Sequence, residues 1–458
     1  MSAGPGLRRD LGTIQSYAAL LGILIGAGIF RVTTEEGALT GPSVILAYVI
    51  LAVPVLATSV GYSVFLSTPL GTEPGGEYLH ISRTFGGYRV AFIGAWLKVI
   101  SYLGALAYLA NALADYVIQL SGGALTAGPH RLPLALGSLV FFYLVHVMGV
   151  RWFGRIQVAM CALLGLSLVV LILPGLTAIR PANYRPFFAR GASGFLAVLP
   201  PLFFSYAGFE SLAQTAGEVR DSTRRLPGIF LKGILATAAV FILITIVAFG
   251  VLPLDRLRAS DAPMAEVAGV YLPAGAAAFV SLGVIMAIAT SLNATMLIPS
   301  RLGVMLAGDG LAPRWLGAIA GATGTPVLGL TLTLAIAAAL LISGQLSLAL
   351  TVAVLALVIL YLLHSAALLA LPRRNPALFA AVTAGIPLPA QRAAAVVSMI
   401  AMAGLIGLQV MRDARVLGAT TLAERLSGRS LTSVELVVFW TALGLLMYGL
   451  TRRARRAQ

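Results

Sequence analysis

Apolar residues in this chain come in long blocks, each closed by a short stretch rich in glycine, proline and arginine. A helix crossing the ~30 Å hydrocarbon layer of a bilayer needs ~20 mostly apolar residues. Twelve blocks qualify, at about 12–31, 41–69, 88–120, 132–149, 155–177, 194–216, 229–252, 272–306, 325–343, 346–370, 393–411 and 433–451. The strict alternation that a transmembrane barrel strand requires is missing. The pattern therefore predicts an all-α integral membrane protein with 12 transmembrane helices. The stretches between spans (71–87, 178–193, 253–271, 307–324, 371–392 and 412–432) are too short to hold a soluble domain.

Composition agrees with the pattern. Only 10% of the residues are charged and 59% are apolar, so polar groups are too few to cover a surface in water. The net charge of +15 would suggest nucleic acid in a soluble protein. Here the basic residues sit in loops between spans, with no basic patch interleaved with aromatics, so the partner is the lipid bilayer and not nucleic acid. The larger share of Lys and Arg falls on the side that carries both ends of the chain, which predicts a multi-pass cell-membrane protein with cytoplasmic N- and C-termini. Residues 1–11 are polar and basic with no cleavable signal pattern. One cysteine, Cys161, excludes a disulfide framework.

The first span contains Gly22-Ile23-Leu24-Ile25-Gly26-Ala27-Gly28-Ile29-Phe30, and the sixth contains Phe203-Phe204-Ser205-Tyr206-Ala207-Gly208-Phe209-Glu210. Glycine weakens a helix by ~1 kcal/mol relative to alanine, and in hydrocarbon an opened backbone must be satisfied by protein, water or ligand. Glycines that merely let helices pack closely are the plainer alternative. Spans one and six, however, are corresponding positions of two five-helix halves. Paired interruptions of that kind mark the midplane site of inverted-repeat transporters. Freed amides at Gly26, Ala27 and Gly28 would hold a carboxylate, and freed carbonyls near Ile23, Phe204 and Ala207 would hold an ammonium. Ser205 and Gly208 belong to the same expected site. The ligand so described is a zwitterionic amino acid.

The chain resembles the amino acid–polyamine–organocation (APC) superfamily over its first ten spans. The resemblance rests on Gly26-Ala27-Gly28-Ile29-Phe30, Glu73-Pro74-Gly75-Gly76-Glu77-Tyr78, Tyr206-Ala207-Gly208-Phe209-Glu210 leading to Ala216-Gly217-Glu218-Val219-Arg220-Asp221, and Ser291-Leu292-Asn293 through Ser300-Arg301 to Asp309-Gly310-Leu311. It implies a leucine-transporter-type fold: a 5+5 inverted repeat with discontinuous helices 1 and 6, plus two C-terminal helices. The transporter core would then be 1–370, with helices 1–5 in about 12–177 and helices 6–10 in about 194–370. Helices 11–12 and a basic tail would occupy 371–458. It also implies alternating access, with Phe204 as an aromatic gate.

Many proton-coupled members carry a lysine in span five. Matching Gly149-Val150-Arg151 and Arg155-Ile156-Gln157 to that pattern places Leu164 or a close apolar neighbour at the position. Ala287-x-x-Thr290-Ser291 resembles the second sodium site of sodium-coupled transporters of this fold. The oxygens of Gly22, Ile25, Ala287, Thr290 and Ser291 could surround that ion; hydroxyls bonded within their own helix are the alternative. A sodium ion is the expected coupling ion, with proton coupling or exchange of amino acids, polyamines or other amines as the alternative, and no other cofactor.

Lys98, inside span three, either snorkels to water, forms a structural ion pair or responds to protons. Glu210 is expected to orient the sixth-span break or to titrate. Asn293 is expected to line the cavity, and His146 and His364 to hydrogen-bond between helices. Glu218, Arg220, Asp221 and Arg301 suit an inner gate. No His-Glu-x-x-His or Gly-x-Ser-x-Gly motif points to an enzyme, no charged ring points to a channel, and no obligate protein partner is evident.

Overall fold

The computed structural model describes residues 7–26, 28–260, 263–344, 346–419 and 431–456. The regular elements among them are helices, joined by short turns and two isolated backbone bridges. In chain order they are α1 (Thr13–Leu24), α2 (Thr33–Thr40), α3 (Val44–Leu66), α4 (Glu77–Phe85), α5 (Tyr88–Leu120), α6 (Ala127–Val147), α7 (Val150–Gly175), α8 (Gly191–Phe203) and α9 (Ser211–Gln214). They continue with α10 (Ser222–Val251), α11 (Leu254–Ala259), α12 (Pro263–Tyr271), α13 (Ala274–Gly308), α14 (Val327–Ser343), α15 (Leu346–Arg374), α16 (Pro376–Ala380), α17 (Leu388–Ala419) and α18 (Ser433–Arg456).

Eleven helical stretches among the described residues are long and apolar enough to cross a membrane. The twelfth expected span is α14, which has 17 residues, the lower limit for a crossing helix. Several helices outrun their apolar blocks. The spacing suggested a start near 229 for the seventh span, yet α10 begins at Ser222 and takes in Arg224 and Arg225. Hydropathy marks the part of a helix that meets lipid, while backbone hydrogen bonding continues into the polar region. The fifth span likewise begins at Val150 because Gly149, at φ 105°, supplies the turn that launches it.

Spans that correspond in the two halves pack as pairs: α3 against α10, and α5 against α13. α1 lies against α7, α10 and α13, so the first span is enclosed by protein. Large apolar side chains such as Val53, Leu173, Leu235, Ile400 and Phe439 stay exposed. On a multi-pass membrane protein that surface is the one that faces lipid. α18 is tied to α5 by a stacked pair, Trp96 and Trp440, with ring centroids 4.6 Å apart. Each indole N–H donates to the other residue's carbonyl, at 2.8 and 2.7 Å.

Candidate functional site

Both expected breaks are present. The last regular bond of the first half-helix runs from the Ile25 amide to the Leu21 carbonyl at 2.8 Å. Ile25 then leaves the helix at φ −83°, ψ 62°, and the chain resumes as a wider π-type turn over Gly28–Val32. Ala27 lies outside the described residues. In the sixth span, α8 tightens into a 3-10 turn over Phe204–Tyr206 and Ala207 is extended. Gly208 takes φ 103°, a conformation side-chain-bearing residues rarely adopt.

Gly26 and Gly28 owe their identity to a different cause from the expected one. Neither has positive φ. A Cβ on Gly28 would lie 2.5 Å from the Ser205 Cα, and one on Gly26 would run into the Ser291 hydroxyl. Close approach of three chain segments, not backbone freedom, requires these glycines. The two breaks therefore touch each other directly.

A cleft opens between them. Ile23, Gly28, Phe204, Ala207 and Gly208 line it, opposite Ser101, Tyr102, Ala105 and Leu109 of α5, with Leu357 of α15 closing one side. Phe204 packs edge-on to Tyr108 at 5.8 Å. Two expected residues stand back from the cleft. Ser205 turns to Tyr48, hydroxyl to hydroxyl at 2.9 Å, and Gly26 is pressed on Ser291. Asn293 does not line the cleft: its side-chain amide donates to Gln157 at 2.8 Å and its backbone carbonyl accepts from His146 at 2.8 Å. The expectation fails because Asn293 sits on the face of α13 turned toward α7.

Behind the first break, α1 and α13 share a cluster of oxygens. The Thr290 hydroxyl bonds the carbonyls of Gly22 (2.9 Å) and Ala287 (2.7 Å), and the Ser291 hydroxyl those of Gly22 and Ile23, each at 3.0 Å. The second first-span carbonyl that Ser291 reaches is thus that of Ile23, where Ile25 was expected. The span-five residues beside Gly22 are Gln157 and Cys161, where Leu164 or a close apolar neighbour was expected at the lysine position. Gln157 donates to the carbonyls of Ala18 and Thr290, both at 3.2 Å.

Lys98 does not snorkel. Its side chain is 1% exposed, and its ammonium lies 2.9 Å from Glu77 and 3.9 Å from Glu210. Glu77 follows the Gly75-Gly76 turn, where both glycines have positive φ. It also accepts from Tyr62 and, at 2.9 Å, from Gln214. Glu210 accepts from the Tyr102 hydroxyl (2.6 Å), the Gly208 amide (3.0 Å) and the Tyr361 hydroxyl. It thereby holds both the sixth-span break and a wall of the cleft. His364 meets His80, ring nitrogen to ring nitrogen, at 2.9 Å. Sequence reasoning missed Glu77, since it stands in a connecting stretch.

The end of the bundle where α1 begins is shut. Leu11 pairs backbone to backbone with Glu218 and Arg220. Arg301 and Glu218 form a fully buried ion pair at 2.9 Å. Arg220 reaches Asp10 at 3.7 Å, while Asp221, the residue before α10, pairs with Arg225 of that helix.

Residues 11–443 match the family described as amino acid permease. The chain is similar to cationic amino acid transporter 9, chloroplastic, of Arabidopsis thaliana, at 27% identity over 68% of this chain and 57% of that protein. It is similar to a branched-chain amino acid permease of Bacillus subtilis at 24% identity, covering 67% of this chain and 69% of the relative. A methylthioribose transporter of Bacillus subtilis matches at 25% identity over 68% and 70%. The chain thus spans little more than half the length of the plant relative.

Proposed function

The chain belongs to the amino acid permease family, and from that premise we propose that it is a secondary transporter carrying a neutral amino acid by alternating access. It is a multi-pass membrane protein of a transporter family and not an enzyme. The observation that carries the finer reading is the cleft itself. Its walls are opened backbone, apolar side chains and hydroxyls, with no charged side chain among the described lining residues. A zwitterion is bound there by dipoles: its carboxylate by the Gly28 amide at the first-span break, its ammonium by carbonyls of the sixth-span turn. Ala105, Leu109 and Leu357 leave an apolar place for its side chain.

Sodium is the driving ion in this reading. What supports it is the convergence of the Gly22, Ile23, Ala287, Thr290 and Ser291 oxygens on one place, with the neutral Gln157 and Cys161 in span five beside it. The ion would displace the hydroxyl hydrogens that now bridge these oxygens. The arginine distribution supports a cell-membrane protein with both ends in the cytoplasm.

The test is a thermal-shift screen of the twenty amino acids in sodium, potassium and choline at matched ionic strength, followed by uptake into proteoliposomes. Neutral aliphatic amino acids are expected to raise Tm, more in sodium, and Thr290→Ala is expected to remove the sodium increment. A response confined to cationic amino acids or amines would reject the substrate class. Equal shifts in the three salts would reject sodium.

A further inference from the structure

Two carboxylates and one ammonium lie together in the protein interior, and their charges do not cancel. Glu77, Lys98 and Glu210 have side chains no more than 1% exposed. Lys98 spends its charge on Glu77, touching both carboxylate oxygens at 3.2 and 2.9 Å. Glu77 is then fully met, since Tyr62 and Gln214 also donate to it. Glu210, 3.9 Å from the same ammonium, takes its hydrogen bonds from neutral donors, so with both carboxylates ionised the three groups carry one excess negative charge. Such a buried excess charge is costly in hydrocarbon surroundings.

We propose that Glu210 is a proton-binding site of the empty carrier, and that the ammonium group of an arriving amino acid displaces its proton. The geometry supports both halves. A tyrosine hydroxyl can donate or accept, so the Tyr102–Glu210–Tyr361 cluster can take up a proton by turning one hydroxyl, with no heavy atom moved. A metal cation there would face the Lys98 ammonium and a shell of donors. Glu210 bonds Tyr102 and the Gly208 amide, and both residues line the cleft. The ligand's ammonium, seated on the sixth-span carbonyls, is thus one residue layer from Glu210. Across that layer like charges repel and opposite charges attract far more strongly than in water. Proton and ammonium compete for one excess negative charge.

The other titratable groups facing the cluster are Tyr62 from α3, His80 from α4, and Tyr361 and His364 from α15. Tyr62 lies against His364, with centroids 4.1 Å apart. One ring hydrogen bond joins the two histidines and His364 Nδ1 has no hydrogen-bond partner, while Glu210 is the member of this group that bonds two residues lining the cleft.

This inference rests on the amino acid reading for its ligand, so the experiment has one arm with ligand and one without. Binding of the best neutral amino acid to the purified protein is measured from pH 5 to 8 in potassium buffer, a range in which the ligand stays a zwitterion. The expected result is a Kd that rises as pH falls, approaching tenfold per unit for one displaced proton. Glu210→Gln, a permanently neutral side chain, is expected to bind with the weak low-pH affinity at every pH. Glu77→Gln, which leaves one carboxylate for one lysine, is expected to remove the slope as well. A flat wild-type profile, tighter binding at low pH, or a slope that survives in both variants would overturn the proposal. The ligand-free arm is infrared difference spectroscopy between pH 5 and 8. A protonated-carboxyl band that is lost on raising the pH and missing from Glu210→Gln supports the site even if no amino acid binds. A spectrum without such a band overturns it, whatever the fate of the substrate reading.

Discussion

The glycines of the first span separate two meanings that the sequence cannot. Gly26 and Gly28 are legible as a mid-membrane irregularity, but the reason for them lies in Ser291 and Ser205, far along the chain. No local pattern reports such a contact. It does make a sharp prediction. In Gly28→Ala the added methyl meets the Ser205 backbone, which cannot rotate away, and overpacking of this kind costs about 1–3 kcal/mol. A lowered Tm and at least tenfold weaker amino acid binding are expected. Gly165→Ala, in the middle of α7 with nothing within 4 Å of its Cβ position, is expected to hold or raise Tm, by up to about 1 kcal/mol in stability. Equal behaviour of the two variants in a thermal melt would refute the close-contact account. That the sequence could not say which span-five residue faces Gly22 has a physical cause too. Positions 157, 161 and 164 lie on one face of α7, so a slip of one or two turns leaves periodicity unchanged.

At the scale of elements, hydropathy located the crossing helices because lipid imposes both length and composition. It could not locate what α4 does, since that helix lies in a connection. Its first residue, Glu77, is nonetheless the partner of Lys98, the lysine whose presence in a span was the visible oddity. The closure between the segment after α9 and α13 depends on one pair. Arg301→Met leaves Glu218 charged, buried and unpartnered, which costs about 3–5 kcal/mol. Removing both charges, as in the Arg301→Met and Glu218→Met double variant, is expected to restore most of that stability. Thermal melts of the two single variants and the double decide it, and strict additivity of the losses would show that the pair does not act as a unit.

At the scale of the whole molecule, corresponding spans pack as pairs around the two breaks, while α17 and α18 lie outside that arrangement. α18 is joined to α5 by the Trp96–Trp440 clasp. Trp440→Ala removes a stacked ring and the one hydrogen bond its indole donates to the Trp96 carbonyl, about 2 kcal/mol together. Tm is expected to fall while amino acid affinity stays within twofold, measured on the same preparation; a large loss of affinity would tie α18 to the site.

The shut end of the bundle has a consequence for motion. Had the molecule sealed that end with apolar side chains alone, opening would return all of their surface to water with nothing gained in exchange. Arg301 and Glu218 behave otherwise. As they part, water solvates each ion, and the hydration recovered offsets most of the attraction given up. A closure made from a dry ion pair is therefore easier to open than its contact energy alone suggests. That property fits the alternating access proposed above.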